Sequence, residues 1–212
     1  MDANRVKRNE LLAATVIKGL ESRNMEGYYA ATKEEALQKA LELIPQGSSI
    51  SWGGSLSVQE IGLNQAVIEG NYRVYNRDAA ATAEEKRKME LAAYDADYFL
   101  TSSNAVTEDG ILVNIDGNSN RVSAIAYGPK HVLMIVGMNK ICKDTDAAVY
   151  RARNIAATCN TQRFPIKTPC KVTGACADCK SPDTICCQFL TTRFSRHKGR
   201  IQVILVGEDL GF

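Results

Sequence analysis

The chain has 212 residues, of which 45% are hydrophobic and 24% are charged, and 26 Lys and Arg against 24 Asp and Glu leave a formal net charge of +2. This composition excludes a disordered or fibrous chain, and the near-neutral balance gives no electrostatic basis for binding nucleic acid or an anionic membrane. At roughly 150 residues per domain, the length predicts one full domain with an appendage, or two small domains. The cysteines are unusual, because six of the seven lie between residues 159 and 187.

The N-terminal segment bears on how these cysteines are interpreted. Its apolar stretch over 11–17 is followed at once by Lys18, Glu21 and Arg23, unlike the sequence of a secretory signal peptide. The sequence also has no run of the ~18 apolar residues that a membrane span requires. We therefore expect a cytoplasmic protein with reduced thiols and no disulfide framework.

Hydrophobic periodicity divides the chain into alternating helices and strands. Apolar residues at helical spacing, together with capping boxes that begin at Thr32 and Thr82, predict helices over 3–23, 33–43, 55–61, 66–68, 83–95, 121–126 and 144–157. Short β-branched or aromatic runs predict strands over 26–31, 48–52, 72–76, 98–101, 111–115, 131–136 and 201–206.

This alternation predicts an α/β fold, an open and mostly parallel sheet with helices on both faces. The segment 1–24 is an N-terminal helix, which is expected to cover either its own sheet or a neighbouring subunit of a homo-oligomer. One domain then extends over 25–212. Three prolines mark residues 159–198 as an irregular cysteine-rich insertion before the last strand.

The loops after the strands are the predicted ligand-binding region, because ligands of open parallel sheets bind beyond the carboxyl ends of the strands. The glycine pair before a predicted helix would suit a phosphate or carboxylate, although it matches no nucleotide-cofactor motif and is equally typical of a tight turn. Polar residues are dense in the two loops near the middle of the chain. The candidate ligand-binding residues are Gly53, Gly54, Ser55, Asn104, Thr107, Glu108, Asp116, Gly117, Asn118 and Arg121.

Two carboxylates in these loops are the candidate catalytic groups. Glu108 or Asp116 would act as a base or a nucleophile if the fold desolvates it. The alternative is that Asp, Asn and Gly only satisfy turn geometry here. Neither His131 nor His197 has a catalytic partner in the sequence.

The cysteine-rich segment gives the most specific chemical signal. Cys170, Cys176, Cys179 and Cys186 provide four soft ligands around a C-x-x-C pair, which suits zinc or an iron–sulfur cluster. Cys187 could replace Cys186, and Cys159 is a further alternative ligand. Buried structural cysteines and a redox dithiol are the competing interpretations.

Residues 97–117, with the sequence DYFLTSSNAVTEDGILVNIDG, carry a resemblance to a known family. Together with 53–55, 120–122, 128–130 and 203–212, this run resembles the LUD (lactate-utilisation) domain family over essentially the whole chain. The resemblance implies the fold of ribose-5-phosphate isomerase, glucosamine-6-phosphate deaminase and CoA transferases, and a link to bacterial lactate oxidation beside iron–sulfur partners. The chain lacks the ferredoxin-type cysteine runs of the larger iron–sulfur subunit, so it resembles the short form of the family.

Three functional hypotheses follow. The first is an accessory protein or subunit of lactate or organic-acid utilisation that works with iron–sulfur oxidoreductase subunits. It would bind a small anionic ligand in the loops and a metal ion or cluster through the cysteine quartet. The second is a transferase or isomerase acting on a CoA ester or a sugar phosphate. The third is a non-enzymatic module that senses metal or redox state.

Overall fold

The computed structural model describes residues 2–212 and arranges their strands in two sheets. The first sheet has six strands in the order β1-β10-β7-β4-β2-β3, and every neighbouring pair is parallel. The predicted α/β fold with an open parallel sheet is therefore confirmed. In chain order the strands are β1 (Glu26–Ala30), β2 (Ser49–Trp52), β3 (Arg73–Val74), β4 (Tyr98–Thr101), β5 (Ala105–Thr107), β6 (Leu112–Asp116), β7 (His131–Gly137), β8 (Ile141–Cys142), β9 (Gln188–Thr192) and β10 (Ile201–Val206).

Helices cover both faces of this sheet because its central strands are apolar on both sides. The helices are α1 (Ala3–Glu21), α2 (Lys33–Leu43), α3 (Leu56–Glu60), α4 (Leu63–Glu69), α5 (Ala83–Ala92), α6 (Asn120–Ala126), α7 (Thr145–Arg151), α8 (Thr158–Thr161) and α9 (Pro169–Thr173). In β7, Val132, Met134 and Val136 pack in one core with α1, whereas Leu133 and Ile135 pack in the opposite core with α2, α3 and α4. A π-helical turn, Ala152–Ala157, joins α7 to α8 where the sequence predicted a continuous helix.

The second sheet has four strands in the order β8-β5-β6-β9 and was not predicted. The sequence predicts the run over 111–115 as a strand of the parallel sheet, and this prediction is wrong, because β6 pairs antiparallel with β5 and with β9. Strand β9 lies inside the insertion, which is therefore not irregular throughout. Its pairing with β6 fixes the insertion beside the carboxyl edge of the main sheet.

Helix α1 is part of the main core. Its residues Ala13, Val16 and Leu20 are buried against the sheet, and the Asn9 amide donates to the carbonyl of Gly207 at 3.0 Å. Arg23, just beyond the helix, donates to the carbonyl of Arg193 at 2.8 Å. These contacts fasten the N-terminal helix to its own sheet.

Within residues 2–212, no helix combines the length and the apolar composition needed to cross a bilayer.

The close approach between α1 and the loop after β5 generates the first prediction. A Cβ at Gly110, where φ is +87°, would lie 2.4 Å from the carbonyl carbon of Gly19, whereas Gly47, with φ of +82°, faces open space. Gly110→Ala should lower the free energy of unfolding by about 2–4 kcal/mol through strain and overpacking, and Gly47→Ala by about 1 kcal/mol through strain alone. Urea unfolding of the two variants measures the difference, and equal losses would contradict the packing argument.

Candidate functional site

A cavity of about 540 Å³ lies at the carboxyl ends of the parallel strands, between the two sheets. Gly54 follows β2, Ser102 follows β4 and Lys140 follows β7, so three neighbouring loops of the main sheet contribute to its wall. Asp116 and Arg121, which flank the turn between β6 and α6, form another side. The insertion supplies a further part of the wall, which includes Phe164 and Ile185.

Arg121 ties these loops together. Its Nη1 donates to the carbonyl of Ser102 at 3.1 Å and to Oδ1 of Asn114 at 2.7 Å, and its Nη2 donates to Oδ1 of Asn104 at 2.9 Å and to the carbonyl of Ile115 at 2.8 Å. Desolvation lowers the pKa of the guanidinium, and the nearby Asp116 opposes this shift. With its four Nη hydrogens engaged, Arg121 acts mainly as a positioning residue for the cavity wall.

Asp116 caps the helix that carries Arg121. Its carboxylate accepts hydrogen bonds from the backbone N–H groups of Asn118 at 3.1 Å, Arg121 at 2.8 Å and Val122 at 3.0 Å. Three backbone donors at the start of a helix hold this carboxylate in place. These contacts give Asp116 a structural role in the wall.

Lys140 is the most unusual group in the cavity. Its side chain is 3% exposed, and its Nζ hydrogen-bonds to the hydroxyl oxygens of Ser57 at 2.9 Å and Ser102 at 3.1 Å. Desolvation, with the positive charges of Arg151 and Arg121, lowers the pKa of Lys140 to about 7, against a smaller opposing effect of Glu60. A large part of the population therefore carries a neutral amine at neutral pH.

Arg151 reinforces the positive character of this region. It is 7% exposed, and its Nε donates to the carbonyl of Asn139 at 3.1 Å while its Nη1 donates to the carbonyl of Asn104. Burial lowers the pKa of its guanidinium. Because the acceptors are neutral carbonyls, its charge is left to act on Lys140.

The four predicted ligand cysteines converge on a second, smaller cavity of about 60 Å³. Cys170, Cys176, Cys179 and Cys186 all line it, whereas Cys159 and Cys187 are exposed and do not. Burial, followed by the charges of the other three thiols, raises the pKa of Cys186 to about 11. The quartet predicted from spacing is thus brought together in space.

The thiols are free and are not arranged as a preformed metal site. All seven cysteines are unpaired, and among residues 2–212 no three His, Cys, Asp or Glu side chains stand in a metal-ligating arrangement. Thr168 contacts the sulfur of Cys170 at 3.3 Å, and Nη2 of Arg153 lies 4.0 Å from the sulfur of Cys176. Ala157, Thr184 and Ile185 line both cavities, so the two share a wall.

Most of the chain matches a known protein family. The model of the LUD domain matches residues 13–206. The chain belongs to the LUD domain family. It is also similar to the crystal structure of a DUF162 family protein from Deinococcus radiodurans, with a TM-score of 0.54 and 10% sequence identity over 93% of this chain and 98% of that chain. This likeness supports the fold alone, and no curated protein matches the sequence.

Six of the ten ligand-binding candidates line the large cavity of this LUD domain. Gly53 does not line it, but a Cβ there would lie 2.8 Å from Cγ of Arg121, so the absence of a side chain makes room for that residue. Ser55 caps α3 by accepting from the N–H of Val58 at 3.3 Å. Helix α3 has only five residues, which removes the basis for an anion site at its N-terminus. The six that line the cavity are Gly54, Asn104, Asp116, Gly117, Asn118 and Arg121.

The other two candidates, Thr107 and Glu108, lie outside the cavity. The Thr107 hydroxyl accepts from the N–H of Ile111 at 2.8 Å within the β5–β6 turn. Glu108 pairs with Lys143 at 2.7 Å and faces the first turns of α1. Neither residue shares a site with Asp116.

Sequence reasoning missed Lys140 and Arg77 as site residues. Lys140 stands three residues after the longest buried strand of the sheet, in one of the loops that follow the strands, and this position is the signal that the sequence offers. Arg77 lines the cavity, and its Nε is buried with no hydrogen-bond partner among residues 2–212. The carboxylate of Asp78 is 3.7 Å from that Nε and accepts instead from the Trp52 indole at 2.8 Å.

Lys140 predicts a specific pH dependence of stability. Its pKa is about 7 in the folded protein and about 10.4 in an unfolded chain. Between pH ~7 and ~10.4 the unfolded state binds more protons than the folded state, so the free energy of unfolding rises with pH by up to about 1.4 kcal/mol per unit. Below this pH range the burial of charged Lys140 destabilises the fold to its full extent, and above it Lys140 is neutral in both states and the destabilisation is absent. Lys140→Met removes this dependence, so the stability of the wild type relative to the variant should grow with pH through this range.

Urea unfolding across this pH range checks the effect. Lys143→Met is the matched control, because Lys143 is exposed and its pKa is raised by Glu108. A difference between wild type and Lys140→Met that does not change with pH would contradict the buried neutral amine.

Proposed function

We propose that this LUD protein binds a small organic anion in the large cavity, as a subunit or accessory of a lactate or organic-acid utilisation system, and that the cysteine quartet holds a metal ion or an iron–sulfur cluster beside it. The single observation that carries the anion proposal is the buried amino group of Lys140, which contacts two hydroxyls and no carboxylate and is an ammonium in part of the population at neutral pH. An ammonium has three donors, so one remains for a ligand. A buried charge of this kind is stabilised by a bound counter-charge.

The carboxylates of the cavity are already engaged elsewhere. Asp116 is held by backbone N–H groups, Glu90 accepts from Arg77 and from Asn120 at 3.0 Å each, and Asp183 accepts from the N–H of Lys167 at 2.8 Å. Arg77 pairs with Glu90 at 3.0 Å and lies 3.7 Å from Asp78, whereas Lys140 has no carboxylate among its hydrogen-bond partners. The cavity charge that lacks a counter-charge is therefore positive, which favours a negatively charged ligand.

The transferase or isomerase hypothesis with a carboxylate nucleophile receives no such support. Glu108 lies outside the cavity, and Asp116 is a helix cap. The cavity of about 540 Å³ is nevertheless larger than a three-carbon acid needs, and it falls in the range of ligand pockets. The kinship with CoA transferases and sugar-phosphate isomerases that the resemblance implies makes acetyl-CoA and ribose 5-phosphate the appropriate comparison compounds.

The thiol quartet fits a soft metal by its chemistry. Four sulfur donors around one cavity suit zinc or iron, and Arg153, which pairs with Asp178, lies 4.0 Å from the sulfur of Cys176. Cys170, Cys176, Cys179 and Cys186 would hold the group, after the thiols lose their protons and draw together. Zinc would stabilise the insertion, and an iron–sulfur cluster would supply one-electron transfer next to the anion.

Anion binding is tested by thermal unfolding with L-lactate, pyruvate, inorganic phosphate, acetyl-CoA and ribose 5-phosphate. A ligand at 100 times its Kd should stabilise the wild type by about 2.7 kcal/mol. The effect should be lost in Lys140→Met and retained in Lys143→Met, since Lys143 lies outside the cavity. No stabilisation by any compound, or equal losses in both variants, would contradict the proposal.

Metal binding is tested by metal and sulfide analysis with a visible spectrum after anaerobic purification. Zinc without colour or iron with inorganic sulfide is expected, and the double variant Cys176→Ser, Cys179→Ser should lose it. The double variant Cys159→Ser, Cys187→Ser is the matched control and should keep it, because both thiols lie outside the small cavity. A wild-type protein that contains no metal would contradict the metal proposal. A protein that binds metal but none of the anions would favour the hypothesis of a metal- or redox-sensing module.

A further inference from the structure

The surroundings of Lys140 differ from those of the paired surface lysines. Lys130 and Lys143 each pair with a carboxylate at 2.7 Å, and those carboxylates raise the pKa of both amines. Lys140 has only the hydroxyls of Ser57 and Ser102 as hydrogen-bond partners and is buried next to two guanidinium groups. A salt-bridge role does not account for this arrangement.

Such surroundings are those of a lysine that reacts as an amine. Desolvation and neighbouring cations favour the neutral, nucleophilic form of a lysine side chain. Lys140 and Ser102 both line the large cavity, so the Nζ is next to the space where a ligand would sit. The hydroxyl 3.1 Å from that Nζ can carry a proton to or from it.

We propose that Lys140 forms an imine with a small 2-oxo acid bound in the large cavity. This inference rests on the proposed function, since the acid must first bind there as an anion. The neutral Nζ attacks the carbonyl carbon as the C=O π bond breaks, and one of its two protons passes through the Ser102 hydroxyl to the carbonyl oxygen, which gives a carbinolamine. The second proton of the nitrogen passes in the same way to the hydroxyl group, which leaves as water while the C=N bond forms; no oxidant or reductant takes part.

The acid group of the ligand has a distinct partner. Arg77, whose side chain is 16% exposed, donates from its Nη1 to Glu90, whereas its Nη2 has no hydrogen-bond partner among residues 2–212 and would lie 3.6 Å from a Cβ at Gly54 on the same cavity wall. A carboxylate would satisfy this donor with a charge-assisted hydrogen bond. A carbonyl for Lys140 and a carboxylate for Arg77 together define a 2-oxo acid as the chemical class.

Reductive trapping tests the imine on the intact wild-type chain. Pyruvate with sodium cyanoborohydride should add one reduced pyruvate unit per chain, and peptide mapping should locate it on Lys140. Labelling of Lys140 should exceed that of Lys143 by at least about tenfold, because one unit of pKa difference already gives tenfold more neutral amine and these two pKa values differ by more than that. L-lactate, which has no carbonyl group, should give no adduct.

Two variants separate chemistry from folding. Ser102→Ala should slow trapping at Lys140 by at least about tenfold through loss of the proton carrier, and Ser102→Thr should restore it. Arg77→Met should weaken pyruvate binding and leave the circular dichroism spectrum unchanged.

The outcomes also separate this inference from the proposed function. Pyruvate that stabilises the protein without an adduct on Lys140, or an adduct spread over the exposed lysines, overturns the imine alone. If another of the tested anions stabilises the wild type but pyruvate does not, the imine alone is contradicted. If none of them stabilises the wild type, both anion binding and the imine are contradicted.

Discussion

The guanidinium of Arg121 is the contact on which the cavity depends. It joins the loop after β4 to the end of β6 through four hydrogen bonds, and so holds the two sheets in a fixed relation at the carboxyl edge. Two features of the sequence make room for it and orient it: Gly53 has no Cβ to obstruct its side chain, and Asp116 caps the helix from which it extends. Charge-assisted bonds to carbonyl and amide oxygens offset the cost of removing the guanidinium from water.

The region around the cavity also contains buried positive charges that are not needed to hold the fold together. Lys140 and Arg151 are both nearly buried, and neither has a carboxylate partner among its hydrogen bonds. Burying unmatched cations lowers stability, and an apolar side chain of similar size would be better accommodated. Groups that cost stability in this way concentrate at functional sites, where their altered reactivity is used.

The strands of the main sheet can be predicted from the sequence, whereas the second sheet cannot. Both faces of β7 and β10 are buried, so these strands are unbroken apolar runs that can be recognised without knowing their neighbours. Strand β9 has mostly exposed or half-buried residues and becomes a strand only through its pairing with β6, which depends on tertiary contacts. Cysteine spacing predicted the quartet, because four soft ligands in a short segment can meet without help from the rest of the fold. The site at Lys140 could not be found in this way, since its desolvation and its cationic neighbour Arg151 come from elements brought together only by folding.

The insertion connects the two candidate sites physically. Pairing of β9 with β6 anchors it to the second sheet, and its residues form part of both cavities, with Thr184 and Ile185 on the common wall. Any rearrangement that draws the four thiols around a metal must therefore move atoms that also border the anion cavity. If a bound metal changes the affinity of the protein for the anion by some factor, the bound anion must change the affinity of the protein for the metal by the same factor. The segment between Cys170 and Cys186 thus borders both the four thiols and the cavity that contains Lys140, and the proposed metal and the proposed anion would be coupled through it.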